Sequence, residues 1–246
     1  MTLAAEEIKA CCAAAYSSAA ARSLLGNSFH PGGAALTSRL ARALRVGPGD
    51  LVVDVACGPG TSAHQLARET GCAVIGVDLA PPETADDPRV RFVRGDAEAL
   101  PLVDASVDGA LCECALCTFP DKEAAAAELA RVLRPGARLA LSDLTARHDE
   151  LPPALVSLQA WVACVADARP LEEIADLLTH AGFEVEETES HVDALAALID
   201  RIEARLKVAK LLAAEAAADA LELLRDIRAA VESGTLGYGV VTARRR

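Results

Sequence analysis

Four cysteines stand where two segments of the chain can bring sulfur atoms together. Three fall in the run Cys112-Glu113-Cys114-Ala115-Leu116-Cys117, and Cys164 follows in Ala160-Trp161-Val162-Ala163-Cys164-Val165. Thiolates are soft donors that select soft, thiophilic ions. Residues i and i+2 of an extended segment share a face, so Cys112 and Cys114 are expected to point the same way, with Cys117 returning towards them if the chain turns. A closed four-thiolate zinc site, in a regulator or scaffold without turnover, is one reading of the set, although only Cys114 and Cys117 have the spacing of a structural zinc pair. The remaining cysteines read differently. Cys57 and Cys72 adjoin apolar strands and are expected to behave as small hydrophobes, while Cys11 and Cys12 lie on an alanine-rich helix, where packing and a lid over the substrate are equally open.

A second chemical signal is a buried strand that breaks into a glycine-rich turn, Val52-Val53-Asp54-Val55-Ala56-Cys57-Gly58-Pro59-Gly60-Thr61. Its glycines let the backbone approach a ligand, and the helical spacing from Ser62 onward places free N–H groups beside that ligand. The next apolar run, Ala73-Val74-Ile75-Gly76-Val77-Asp78, ends in an acid 18 residues after Gly60, as a carboxylate that holds two ribose hydroxyls would. Further strands are expected at Val90–Arg94 and Val107–Cys112, with Gly95-Asp96-Ala97 between them. A dinucleotide-binding fold is the alternative for this pattern, but the third glycine of that fingerprint is His64 here.

These landmarks resemble the class I S-adenosylmethionine-dependent methyltransferases over roughly residues 45 to 145. Asp54, Gly58 and Gly60 match the family's acid-and-glycine pattern, and Ala56 stands at its first glycine. The resemblance implies a doubly wound, Rossmann-like α/β sheet, mostly parallel with an antiparallel last strand, and S-adenosyl-L-methionine as cofactor. It assigns Asp54, Ala56, Gly58 and Gly60 to the cofactor loop, Asp78 and Leu79 to the ribose end, Asp96 and Ala97 to the adenine, and Cys112 to the cofactor's edge. It places Arg131–Gly136 at the corner before the fifth strand. Within the family, the cysteines are similar to those of arsenite methyltransferases: Cys114 stands seven residues before Asp121-Lys122, and Trp161 and Cys164 form a Trp-x-x-Cys pair. That similarity implies trivalent arsenic as methyl acceptor, held by Cys114 and Cys164 with Cys117 or Cys112 as a third ligand. A thiol reductant such as glutathione or thioredoxin is the implied partner. A methyltransferase for another small carbon, oxygen, nitrogen or sulfur acceptor, its cysteines only packing, is the competing reading.

Composition sets the outer bounds. The chain has 246 residues, 52% of them apolar, enough for one domain with a substantial core. A net charge of −12 argues against nucleic acid, since the one basic cluster is Arg244-Arg245-Arg246. No run of about 18 apolar residues is present and Met1–Glu7 lacks a signal-peptide pattern, so no membrane partner and a cytoplasmic location are expected.

The expected organisation is a single domain over 1–246: a helical cover at 4–46, a cofactor core at 47–145 and acceptor-side elements at 146–246. The cover reads as two helices flanking a Pro- and Gly-rich turn, with His30 expected at the surface or in a cap. The segment around Trp161 and Cys164 has apolar residues at helical spacing and is expected to be a helix over the cofactor site. A helix over Leu171–Ala181 precedes a strand from Phe183. One or two amphipathic helices over Val192–Val231 then lead to a last strand at Tyr238–Thr242; their apolar face packs on the core, lines the acceptor pocket or forms a homodimer.

Overall fold

The computed structural model describes residues 4–26, 28–147, 150–157, 160, 163–211 and 216–246. Its centre is a seven-stranded sheet made of β1 (Leu51–Val55), β2 (Ala73–Asp78), β3 (Val90–Arg94), β4 (Val107–Glu113), β5 (Leu133–Ala146), β6 (Phe183–Ser190) and β7 (Leu236–Arg245). The strand order is β3-β2-β1-β4-β5-β7-β6. Strands β1 to β5 pair in parallel, and β7 runs antiparallel between β5 and β6. This is the expected doubly wound sheet with an antiparallel last strand.

Parallel strands are covered on both faces, which explains why β1 and β2 are continuous apolar runs. Neighbouring residues alternate between the two faces: Val52 joins one core cluster with Leu40, Leu66 and Val74, while Val53 joins the other with Ile75, Leu129 and Leu178. Helices α3 (Gly33–Leu44) and α4 (Thr61–Thr70) cover the first face; α5 (Lys122–Val132) and α6 (Leu171–His180) cover the second. The corner at Arg131–Gly136 joins α5, which ends at Val132, to β5, which starts at Leu133 and whose partner β4 shows a register shift between Val107 and Gly109.

The N-terminal cover has three helices rather than two. Ser18 is extended and ends α1 (Ala5–Ser17), and its hydroxyl accepts from the Ala21 amide to cap α2 (Ala19–Leu25). Between β6 and β7 lie α7 (Val192–Leu211) and α8 (Ala216–Glu232). Leu195, Ile199, Leu224 and Ile227 of this pair enter the first core cluster, so the insertion packs on the chain's own sheet. Among the described residues, no helix is long and apolar enough to cross a membrane.

Strand order reverses between β1 and β4, and in such sheets the carboxyl ends beside the reversal form the ligand crevice. Asp54 near the end of β1, Asp78 at the end of β2 and Glu113 at the end of β4 all project there.

Candidate active site

A cavity of about 130 Å³ opens at this crevice. Asp54, Ala56, Gly58, Asp78, Leu79, Asp96 and Ala97 line it, together with Cys114. Gly60 lies just behind, at φ 77°, and a Cβ there would sit 2.2 Å from the Phe92 ring, so side chains are excluded by both conformation and space. At Gly58 a Cβ would meet nothing within 4 Å, which leaves its backbone open to a ligand. Ala56 adopts φ 57°, the left-handed conformation glycine takes without strain.

Four acids, Asp54, Asp78, Asp96 and Glu113, line the cavity. Asp78 accepts from the amides of Gly58 (2.9 Å) and Ala80 (2.8 Å), which fixes its carboxylate against the glycine turn. Asp54 is buried; it accepts from the Ala63 amide, while its Oδ2 has no hydrogen-bond partner. Burial, then the charges of Glu113 and Asp78, hold Asp54 well above the usual carboxylate range. Glu113 accepts from the Thr37 hydroxyl at 3.2 Å and lies 3.5 Å from His30 Nε2. His30 is therefore buried in this network rather than exposed, its Nδ1 3.0 Å from the Pro31 carbonyl. Helix α1 closes the cavity: Lys9 reaches Asp96 at 2.7 Å and Glu98 at 2.5 Å, and Cys12, Ala13 and Tyr16 follow on the same helical face.

Beyond Cys114 the thiols gather. Cys114, just after β4, takes φ 54° and Cys164 takes φ 65°. Cys117 lies in the tight turn Leu116–Thr118, its amide donating to Asp143 at 2.8 Å. Cys114, Cys117 and Cys164 hydrogen-bond with one another, and the Tyr16 hydroxyl is 3.0 Å from Cys164 Sγ. Donation from Cys114, then Cys117, and further from Tyr16 and the charge of Lys122, holds the Cys164 thiol well below its ordinary range against the opposing effect of burial. Cys117 is pushed up by burial. The three sulfurs and the phenol therefore form one buried hydrogen-bonded cluster.

Two sequence expectations are corrected here. Cys112 does not share a face with Cys114: it is fully buried in the opposite core cluster beside Val53 and Ala110, away from the cavity lining, because the left-handed turn at Cys114 breaks the strand's alternation. A four-thiolate zinc site needed Cys112, and among the described residues no group of three or more His, Cys, Asp or Glu side chains is disposed to hold a metal ion. Of the segment expected to be a helix, Ala160 is helical and Ala163–Ala168 form turns, the amides of Val165 and Ala166 both donating to the Ala160 carbonyl. Trp161 lies outside the described residues.

Sequence reasoning did not assign Lys9, Tyr16, Thr37, Glu113 or Asp143. Lys9, Cys12, Ala13 and Tyr16 recur at i, i+3, i+4 and i+7, a helical-face signal that would have found the first two.

Next to the first cavity is a second, of about 280 Å³, which shares Tyr16, Phe29 and Cys114 with it. Leucine, isoleucine and alanine side chains of α2, α7 and α8 make most of its wall. Among the described lining residues only Tyr16, Cys114 and Cys164 offer polar side-chain atoms, and none is His, Asp, Glu, Lys or Arg.

Residues 53–141 match a methyltransferase domain family. Methyltransferase GfsG of Streptomyces halstedii is 36% identical over 58% of this chain and 54% of its own length. The arsenite methyltransferase of Halobacterium salinarum is 31% identical over 57% of this chain, and the chain spans only 39% of that protein. The 27-O-demethylrifamycin SV methyltransferase of Amycolatopsis mediterranei is 33% identical over 85% of this chain and 82% of its own length. Two solved structures share the fold. The [4+2]-cyclase SpnF has a TM-score of 0.77 at 20% identity, covering 100% of this chain and 97% of that one. Phosphoethanolamine N-methyltransferase 2 of Haemonchus contortus, solved with S-adenosyl-L-methionine, has a TM-score of 0.75 at 19% identity, covering 92% and 56%. With a relative matched along most of its length and the glycine turn at the reversal of strand order, the chain belongs to the class I S-adenosylmethionine-dependent methyltransferases.

Proposed function

We propose that the chain methylates trivalent arsenic held by Cys114 and Cys164, with Cys117 hydrogen-bonded beside them, as one catalytic unit over 1–246. One observation carries this reading: Cys114 and Cys164, from two separate loops, hydrogen-bond with one another and both line an apolar chamber, while Cys114 also lines the crevice cavity.

S-adenosylmethionine fits the crevice. The orphaned Oδ2 of buried Asp54, beside Glu113, calls for a cation, and the cofactor carries an ammonium and a sulfonium. We assign Asp54 to the cationic end, Asp78 to the ribose hydroxyls, Gly58 and Gly60 to the close backbone approach, and Asp96, Ala97 and Leu79 to the adenine side. Bound there, the cofactor supplies an electrophilic methyl group; the arsenic lone pair forms the As–C bond while the C–S pair stays on sulfur, leaving S-adenosylhomocysteine and pentavalent arsenic. The remaining work belongs to the chain. Each As–S bond forms as an arsenic hydroxyl takes the proton of a cysteine thiol and leaves as water. The apolar wall excludes water, and the loops fix the arsenic beside the methyl group, a proximity effect of up to about 7–11 kcal/mol. No general base faces the acceptor chamber among its described residues, which suits a lone-pair nucleophile that has no proton to lose. Return of the product to the trivalent state consumes a thiol reductant, for which glutathione or thioredoxin is suited.

The test is methyl transfer from labelled S-adenosylmethionine to arsenite and methylarsenite with glutathione present, the arsenic products resolved by chromatography. Labelled arsenicals are expected from the wild type and none from Cys114→Ser or Cys164→Ser, with cofactor affinity nearly unchanged. Absence of labelled arsenic from protein that binds the cofactor, or wild-type rates in both variants, overturns the reading.

A further inference from the structure

The thiols account for the arsenic atom but not for the space beside them. Cys114 and Cys164 also line the second cavity, about 280 Å³ of largely apolar space, open on one side and walled in part by Leu24, Leu195, Ile199 and Leu224. An engineered apolar cavity of about 150 Å³ is enough to take up benzene. An inorganic arsenic centre with hydroxyl groups leaves this chamber unfilled and gives up its hydrogen bonds to water wherever it meets the wall.

Resting on the arsenical reading above, we propose that the preferred acceptor is an organoarsenical whose single arsenic–carbon bond carries an aromatic or branched apolar group, seated in this chamber. Cys114 and Cys164 bind the arsenic and displace two hydroxyls as water. The lone pair then faces the crevice while the organic group points between α2, α7 and α8. Continuity supports this occupant: Tyr16, Phe29 and Cys114 border both cavities, so an atom bound to Cys114 sits at the junction of the methyl donor and the apolar space. The chamber wall rejects charge, having no ionic side chain among its described residues, and neutral arsonous acids bearing hydrocarbon groups meet that requirement.

Calorimetric titration of the full chain with S-adenosylhomocysteine bound, using methyl-, phenyl- and naphthylarsonous acid, tests the proposal. Phenylarsonous acid is expected to bind at least about tenfold more tightly than methylarsonous acid, from the apolar area it buries. Ala220→Phe, which narrows the chamber from α8, is expected to bring the phenyl-to-methyl ratio close to one and to exclude the naphthyl compound. If the variant does not fold, the size series in the wild type decides the matter alone. Equal affinities for methyl and phenyl, or a phenyl preference that Ala220→Phe leaves intact, overturns the chamber's role while the arsenical reading stands. Failure of all three to bind overturns both.

Discussion

Asp143 reports on the charge of the thiol cluster. Its two oxygens accept from the amides of Cys117 and Leu144, yet burial, followed by the charge of Cys164, raises its carboxyl to about 7. A raised acid pKa means that the folded chain binds this proton more tightly than the unfolded chain does. The contribution to stability is therefore present at low pH and is lost as pH rises from about 4 to 7, up to roughly 4 kcal/mol. Urea midpoints at pH 5 and pH 8 are expected to fall further in the wild type than in Asp143→Asn; parallel losses would remove Asp143 from the account. A second prediction concerns the cofactor end. Asp78→Ala leaves the Gly58 and Ala80 amides unpaired and loosens the turn, so S-adenosylhomocysteine affinity by calorimetry should fall whatever the acceptor.

At the scale of elements, one ion pair ties the cysteine loops together. Lys122 at the start of α5 donates to the Phe119 carbonyl and pairs with Asp167, which lies three residues after Cys164; both side chains are largely buried. Lys122→Met leaves Asp167 buried with Arg169 as its remaining partner, an expected loss of about 3 kcal/mol in urea unfolding. Cys164 then loses one of the positive influences on its thiolate, so the pH at which it reacts with a thiol reagent should shift upward. The same pair shows what could be read in advance. Strands β1, β2 and β4 and the glycine turn were legible because burial on both faces imposes an apolar run and close approach imposes glycine. The turns at Ala163–Ala168 were not, because Ala160, Cys164, Val165 and Ala168 imitate a helical stripe, while the bonds that fold them come from Lys122 and Ala160. Likewise the divergence of Cys112 from Cys114 depends on one left-handed residue, which a period-two pattern does not register.

For the whole molecule, the cover is held to the sheet partly by what it encloses. Helix α1 buries only Ile8 and Cys12 and has no side-chain cap, while Lys9 and Tyr16 reach into the site. Amides of Ala5–Ser17 are therefore expected to exchange hydrogen at least about tenfold more slowly when S-adenosylhomocysteine is bound; unchanged exchange would mean that α1 does not respond to the cofactor.

The left-handed backbone at Cys114 and Cys164 has a consequence for the chain as a compromise. At both positions glycine is the residue without strain, worth about 1–2 kcal/mol against a residue with a Cβ. Cys114→Gly should accordingly melt at a higher temperature than Cys114→Ala, the reverse of the usual order of these two residues, although both lack the sulfur. Under the ligand role proposed for Cys114, robustness and activity pull in opposite directions there, and a thermally hardened version of this protein would come at the expense of that role.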